Sequence, residues 1–258
     1  MPETPAHPGE PRPGRPAGRA AVVVLAAGSG SRVGTDLNKA FLPLAGRRIV
    51  TWSLAAAGAV AEVGHLVLVV RPEDAELAAG TVAAEVGAAG PAVQLVPGGP
   101  TRHESEVAAL TALQPRIAAG DVDVIAVHDA ARPLAGAPLF RCVITTAARV
   151  GGAVPGLPAA GLVPVGDVGP PAAPSPARCL TAVQTPQAFR AAELLAAYSR
   201  AGTEAYQGTD TSSSVEAFSD LMVRVVPGSR HNIKITYLRD VRVAERLLAA
   251  RDRTPAEP

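Results

Sequence analysis

Short apolar runs alternate with Ala- and Leu-rich windows along most of the chain, and that alternation predicts the fold. Residues 21–25 form an unbroken apolar run, as expected of a strand buried on both faces, and residues 65–70, 92–96 and 122–127 repeat the pattern. Between them, residues 50–60, 73–86 and 103–113 have the composition of helices. Strand and helix in turn predict βαβ units, hence an α/β fold: a Rossmann-like, mainly parallel sheet flanked by helices. Ligands of such sheets sit beyond the carboxyl ends of the strands, so residues that directly follow a strand are the first candidates for chemistry.

The rhythm continues with a helix over 136–150 and a strand over 151–155, then breaks. Residues 156–179 are a run of Gly, Pro and Ala, poor material for a core, and are expected to leave the domain as a protruding β-arm that packs on a second copy in a homodimer. Residues 182–184 return to the sheet, and Thr185-Pro186-Gln187 opens a helix over 188–200. Gly208-Thr209-Asp210-Thr211 looks like a capped start to a helix reaching Phe218, followed by a strand over 222–226. Lys234 stands between Ile233 and Ile235 in an alternating strand, and a helix over 241–250 closes the fold. One domain therefore spans 20–251, between a Pro-, Gly- and Arg-rich tail at 1–19, expected to be disordered, and a tail at 252–258.

Composition narrows the class. Of the 258 residues 48% are hydrophobic but only 3% aromatic, so the core is one of Ala, Val and Leu. A net charge of +1 gives no reason to expect nucleic acid or a membrane surface as partner, and any anion site has to be local. Cys142 and Cys179 have no metal-ligand spacing and are too few for a disulfide framework. Neither a secretory segment nor a membrane-spanning run is apparent, so the expected compartment is the cytoplasm.

Against that weak overall charge, the stretch Ala26-Ala27-Gly28-Ser29-Gly30-Ser31-Arg32, carried on to Lys39, stands out. Glycines let consecutive amide groups form an anion-binding concavity, here at the end of the first strand. A dinucleotide fingerprint wants a third glycine, where Val33 stands, and an acid roughly 20 residues on, where the chain is apolar. The triphosphate P-loop wants Gly-Lys-Ser/Thr, which does not occur. A structural glycine turn or a nucleotidyl-transfer loop remains.

Two further strand ends carry candidates. Gly98-Gly99 leads to Arg102 and Ser105, either as a capping-box turn of Thr101 and Glu104 or as a loop over a base, with Ser105 bonding to it and Arg102 holding the loop or a phosphate. His128-Asp129-Ala130-Ala131-Arg132-Pro133 sets a carboxylate beyond a strand, where it needs a cation. Magnesium held by Asp129 and phosphate oxygens fits, with Arg132 on a substrate phosphate; the alternative is a helix cap paired to Arg132. His128 reads as a packed strand-end histidine, and Lys234 either as a solvated guard of an edge strand or as a phosphate ligand.

Taken in order, these blocks together with Gln184-Thr185-Pro186-Gln187, Thr209-Asp210 and Asn232-Ile233-Lys234-Ile235-Thr236 resemble the 2-C-methyl-D-erythritol 4-phosphate cytidylyltransferase family. The resemblance implies a cytidylyltransferase that joins CTP to that sugar phosphate in the non-mevalonate isoprenoid pathway. It implies charge stabilisation by Arg32, Lys39, Lys234 and Arg178, and CTP binding by Ala26, Ala27, Gly28, Ser29, Gly30, Ser31, Gly98, Gly99, Arg102 and Ser105. It further implies magnesium on Asp129, an acceptor site of Asp129, Arg132, Thr209 and Asp210, and a homodimer whose arms reach into each other's sites. The chain departs from the family pattern at Asn38, where proline is usual, and at Thr211, where an acid is usual. In the arm, an Asp-Thr pair is replaced around Gly161-Leu162, and Arg178 matches only with a one-residue slip. Another acceptor, such as ribitol 5-phosphate or a phosphonate, and a catalytically weak nucleotide-binding paralogue are the alternatives.

Overall fold

The computed structural model describes residues 19–28, 38–86, 91–159, 180–204, 206, 208 and 210–253. Its elements are β1 (Ala20–Leu25), a short hairpin of β2 (Pro43–Leu44) and β3 (Arg47–Arg48), α1 (Ile49–Gly58), β4 (Val63–Val70), α2 (Ala75–Glu85), β5 (Val93–Pro97), α3 (Arg102–Ala118), β6 (Val124–Asp129) and α4 (Gly136–Val150). There follow β7 (Gly152–Pro158), β8 (Thr181–Val183), β9 (Gln187–Arg190), α5 (Ala191–Thr203), α6 (Thr211–Phe218), β10 (Val223–Pro227) and α7 (Leu238–Arg253).

One eight-stranded sheet runs in the order β10-β7-β9-β6-β1-β4-β5, with β8 paired to β7. The pairs β1·β4, β1·β6, β4·β5 and β7·β10 are parallel, and β9 is antiparallel to both β6 and β7. The predicted mainly parallel α/β sheet is therefore correct. Strand β1 lies inside the sheet between β6 and β4, and its side chains alternate between two cores, as the period of a strand requires. Ala20, Val22 and Val24 pack with Leu54 of α1 and Phe140 of α4, while Ala21 and Val23 pack with Leu113 of α3 and Leu194 of α5. Helix α4 ends at Gly151, whose φ of +120° suits a residue without Cβ and lets the chain turn straight into β7.

Two predicted elements need correction. Residues 187–190 are strand β9 rather than the start of a helix, and α5 begins only at Ala191. Ala188 and Phe189 are fully buried between β6 and β7, and a run of four residues is too short to display its period. Residues 233–235 form no strand. They are irregular chain fixed by the bond from Ile235 N to Ala131 O (2.8 Å) and by the buried Ile235 side chain, with exposed Lys234 between the more buried Ile233 and Ile235. At the root of the predicted arm, β7 runs on through Pro158 and pairs antiparallel with β8, Gly156 opposite Val183 and Pro158 opposite Thr181. Residues 160–179, with the remainder of the arm, Arg178 and Cys179, lie outside the described residues.

Candidate active site

Leaving the site to the sheet topology, the chain steps from β1 out to β4 and β5 and later returns to the other side of β1 as β6. Such a switch point leaves a crevice beyond the strand ends, and a cavity of about 290 Å³ lies there. Ala26, Ala27 and Gly28 line it from the end of β1, Lys39 and Ala40 from the far end of the glycine loop, Thr101, Arg102 and Ser105 from the start of α3, Asp129 and Ala130 from the end of β6, and Lys234 from the segment before α7.

Asn38 holds the far end of the glycine loop. Its buried side chain donates from Nδ2 to Ala26 O (2.6 Å) and to Asp74 Oδ2 (2.8 Å), and its Oδ1 accepts from Ala40 N (3.1 Å), so Lys39 is fixed to the end of β1. Asp74 in turn accepts from Arg71 Nε and Nη2 at 2.7 and 2.8 Å. Burial would raise the Asp74 carboxyl, but the bonds from Arg71 and Asn38 hold it below its ordinary value. The exchange of proline for asparagine at 38 thus brings in a hydrogen-bonded anchor of its own.

The second loop crosses close to the first. A Cβ on Gly98 would stand 2.5 Å from Ala27 Cβ and 2.9 Å from Ser105 Oγ, so only glycine fits. Gly99 meets the same limit against Glu104 Cβ, at 2.4 Å, and its carbonyl accepts from Ser105 Oγ at 3.3 Å. Helix α3 starts with the capping box: Thr101 Oγ1 accepts from Glu104 N (3.1 Å) and Glu104 Oε2 from Thr101 N (2.8 Å). The capping reading of this block is correct, and the cap also directs Arg102 and Ser105 into the cavity.

Asp129 is the electrostatic centre. Lys234 Nζ lies 2.7 Å from its Oδ2 and Arg102 Nη2 3.4 Å from its Oδ1. Burial works to raise the carboxyl, but the charges of Arg102 and Lys234 hold it well below the carboxylate range, so it is ionised at neutral pH. Its backbone N–H donates to Thr185 Oγ1 (3.0 Å), and Thr185 Oγ1 lies 3.1 Å from His128 Nδ1. His128 Nε2 lies 3.1 Å from Arg132 O, an acceptor, so Nε2 carries the proton and Nδ1 accepts from Thr185. Burial first, against the pull of Asp129, lowers the imidazole to about 4, and His128 is the packed, neutral strand-end histidine expected. Gln184 completes the brace: its Nε2 donates to Ser229 O (2.8 Å) while Asn232 Nδ2 donates to Thr185 O (2.9 Å), which ties the Lys234 segment to β6.

Lys39, Asp129, Lys234, Arg102, Ser105, Ala26, Ala27 and Gly28 are thus brought around one cavity. Gly98, Gly99, Arg132 and Asp210 are not among its lining residues. Arg132 donates from Nη1 to Asn232 O (2.8 Å) and does not line the cavity. Asp210 caps α6, accepting from Ser213 N (2.9 Å), Gln187 Nε2 (2.9 Å) and Ser212 Oγ, and does not line the cavity. Ser29, Gly30, Ser31, Arg32 and Thr209 lie outside the described residues, as Arg178 does. The sequence reading missed the Asn38–Asp74–Arg71 anchor and Glu106. A lone acid inside a helix carries no signal until its neighbours in space are known.

Among the described residues Asp129 is the one acid lining the cavity, and no group of three or more His, Cys, Asp or Glu is placed to hold a metal ion. The described residues therefore offer a metal a single carboxylate. That suits a hard ion bound mainly through substrate phosphates and water, and not a protein-caged metal.

An α/β crevice lined, among the described residues, by two lysines, an arginine and one carboxylate, beside a loop whose Gly98 and Gly99 leave no room for a Cβ, suits a transferase of phosphate-bearing substrates, and its fold is that of the nucleotidyltransferases. The profile of the family IspD, 2-C-methyl-D-erythritol 4-phosphate cytidylyltransferase, matches residues 20–250, and the chain belongs to that family. It is 37% identical over 241 residues to the 2-C-methyl-D-erythritol 4-phosphate cytidylyltransferase of Solibacter usitatus, covering 89% of this chain and 96% of that one. It is 40% identical over 233 residues to the bifunctional enzyme IspD/IspF of Clavibacter michiganensis, covering 90% of this chain but 55% of the relative, so it spans about half the length of that bifunctional enzyme. The 4-diphosphocytidyl-2C-methyl-D-erythritol synthase of Anaerococcus prevotii superposes with a TM-score of 0.76 at 26% identity, over 90% of this chain and 99% of that one.

Proposed function

We propose that this chain joins CTP to 2-C-methyl-D-erythritol 4-phosphate, giving 4-diphosphocytidyl-2-C-methyl-D-erythritol and pyrophosphate, a step of the non-mevalonate isoprenoid pathway. The observation that carries the reading is the convergence of Lys39, Arg102, Lys234 and Asp129 on one cavity at the strand ends, in a chain of this family. A phosphate oxygen of the acceptor attacks the α-phosphorus of CTP; that O–P bond forms as the bond to the bridging oxygen of the β-phosphate breaks, and pyrophosphate leaves. The attacking phosphate is already ionised, so no protein base is needed. The obstacle is repulsion between two polyanions, which fixed cations relieve.

Lys39, held by the Asn38 anchor, serves the triphosphate together with Arg32. Lys234 and Asp129 form the boundary between nucleotide and acceptor, with Thr209 and a partner's Arg178 on the acceptor side by family resemblance. Magnesium, when bound, neutralises triphosphate charge, and Asp129 is the residue to hold it. A homodimer accords with the exposed Leu180, Val183, Met222 and Val225 around the root of the arm. The cytoplasm is the compartment we expect, since both substrates are polyanions that do not cross a bilayer unaided; among the described residues no helix is long and apolar enough to span one.

Pyrophosphate release with magnesium and CTP, run against 2-C-methyl-D-erythritol 4-phosphate, ribitol 5-phosphate and a phosphonate, tests the reading. Release with the first acceptor is expected. Release with another acceptor alone moves the substrate assignment, and CTP binding without release on any of them overturns the enzyme.

A further inference from the structure

Glu106 is a carboxylate in an unusual place: its side chain is 3% exposed, one residue beyond Ser105 in the first turns of α3, and nothing in the reaction calls for it. All of its partners are donors. Arg102 Nη1 lies 2.5 Å from Oε1, Thr211 Oγ1 donates to the same oxygen at 2.5 Å, and Tyr198 OH donates to Oε2 at 2.6 Å. Burial pushes the carboxyl above its ordinary value, and Arg102, Thr211 and Tyr198 offset only part of that rise. The phenol of Tyr198 is driven well above its ordinary value by burial and by Glu106, so it stays a donor.

The guanidinium is therefore shared between two acids. It is bonded to Glu106 and stands 3.4 Å from Asp129, while Asp129 keeps its short contact to Lys234. Burial lowers the Arg102 value, but Glu106 and Asp129 together hold it above the ordinary one, so the charge is secure. Without Glu106, the nearest carboxylate for Arg102 is Asp129, and a closer pair there would take Asp129 from Lys234. Thr211 stands where the family resemblance leads one to expect an acid, and its hydroxyl lies on Glu106 and 3.4 Å from Arg102 Nη1. A carboxylate thus reaches the same place from α3 instead of α6.

We propose that Glu106 is a positioning residue for the transfer reaction. Braced by Tyr198 and Thr211, it holds Arg102 in the cavity wall and keeps Asp129 available to Lys234. The proposal rests on the cytidylyltransferase reading, and the test separates the two. Wild-type protein is assayed first: no pyrophosphate release there defeats the functional reading itself.

Given an active wild type, Glu106→Gln is expected to lower kcat by about 10- to 100-fold, the range for a residue acting through the group it orients, with a smaller change in KM for CTP. Arg102→Ala should fall comparably, and the double variant should be no worse than Arg102→Ala alone, because both changes remove one device. Rescue is the readout that a space-filling role would not move: Glu106→Ala/Thr211→Glu should regain about tenfold or more in kcat over Glu106→Ala, by returning a carboxylate to Arg102. If Glu106→Gln does not fold, Thr211→Val takes its place in the cycle with Arg102→Ala. Wild-type kcat in Glu106→Gln, additive losses in the cycle, or no rescue by Thr211→Glu would each overturn the proposal.

Discussion

The two halves of the sheet are built differently. From β6 through β1 and β4 to β5 every neighbour is parallel, and β1 has no residue more than partly exposed. On the other side β9 runs against both its neighbours, and the margin leaves Leu180 at 49%, Val225 at 53% and Met222 at 64% exposure. Parallel strands bring their carboxyl ends to one edge, so the loops after β1, β5 and β6 meet around a single cavity. The mixed half supplies braces instead: Gln184 and Thr185 ahead of β9, and Gln187 at its start, hold the Asp129 turn, the Lys234 segment and the cap of α6. The chemistry depends on the regular half, and the irregular half fixes where it points.

Substitutions break or sharpen that contrast. Leu68→Ala removes a fully buried side chain from β4 in the parallel half and is expected to cost about 2–5 kcal/mol of stability, read by denaturant unfolding. Gly98→Ala forces a Cβ against Ala27, where neither carbon is free to move, at a cost of about 1–3 kcal/mol, and KM for CTP should rise as the two loops part.

The Asp74 anchor predicts a pH effect. Its folded value is depressed, so its stabilisation is complete above the unfolded carboxyl value, near 3.9, and is lost as the pH falls through the folded one. Between about pH 6 and about pH 2, melting temperature should therefore fall more steeply in the wild type than in Asp74→Asn. At the mixed margin, Val225→Thr should change stability by no more than about 0.5 kcal/mol, because the position is already half in water.

The same contrast governs how much the sequence discloses. Strands buried on both faces write themselves as apolar runs, so β1, β4 and β6 are legible from residues 21–25, 65–70 and 122–127. Strand β9 is not, because four residues next to a helix show neither period, and it is its antiparallel neighbours that make it a strand. The cavity residues that follow parallel strands directly, such as Asp129 and Arg102, are legible for the same topological reason. Glu106, Asp74 and Asn38 act through partners 36 to 105 positions away in sequence, and no local pattern announces a pairing across such distances. Asp210 is the converse case: its place beside Thr209 suggests a substrate contact, and in the structure its oxygens accept from Gln187, Ser212 and Ser213 in capping α6, outside the cavity lining.

The claim beneath the whole account is that fixed cations at the strand tips, and no protein base, carry the transfer. Steady-state pyrophosphate release from CTP and 2-C-methyl-D-erythritol 4-phosphate by Lys39→Ala, with melting temperature measured alongside, tests it most directly. A loss of about 10²–10³-fold in kcat/KM, or about 2.7–4 kcal/mol, at an unchanged melting temperature is the predicted result. Turnover within about twofold of the wild type would contradict it.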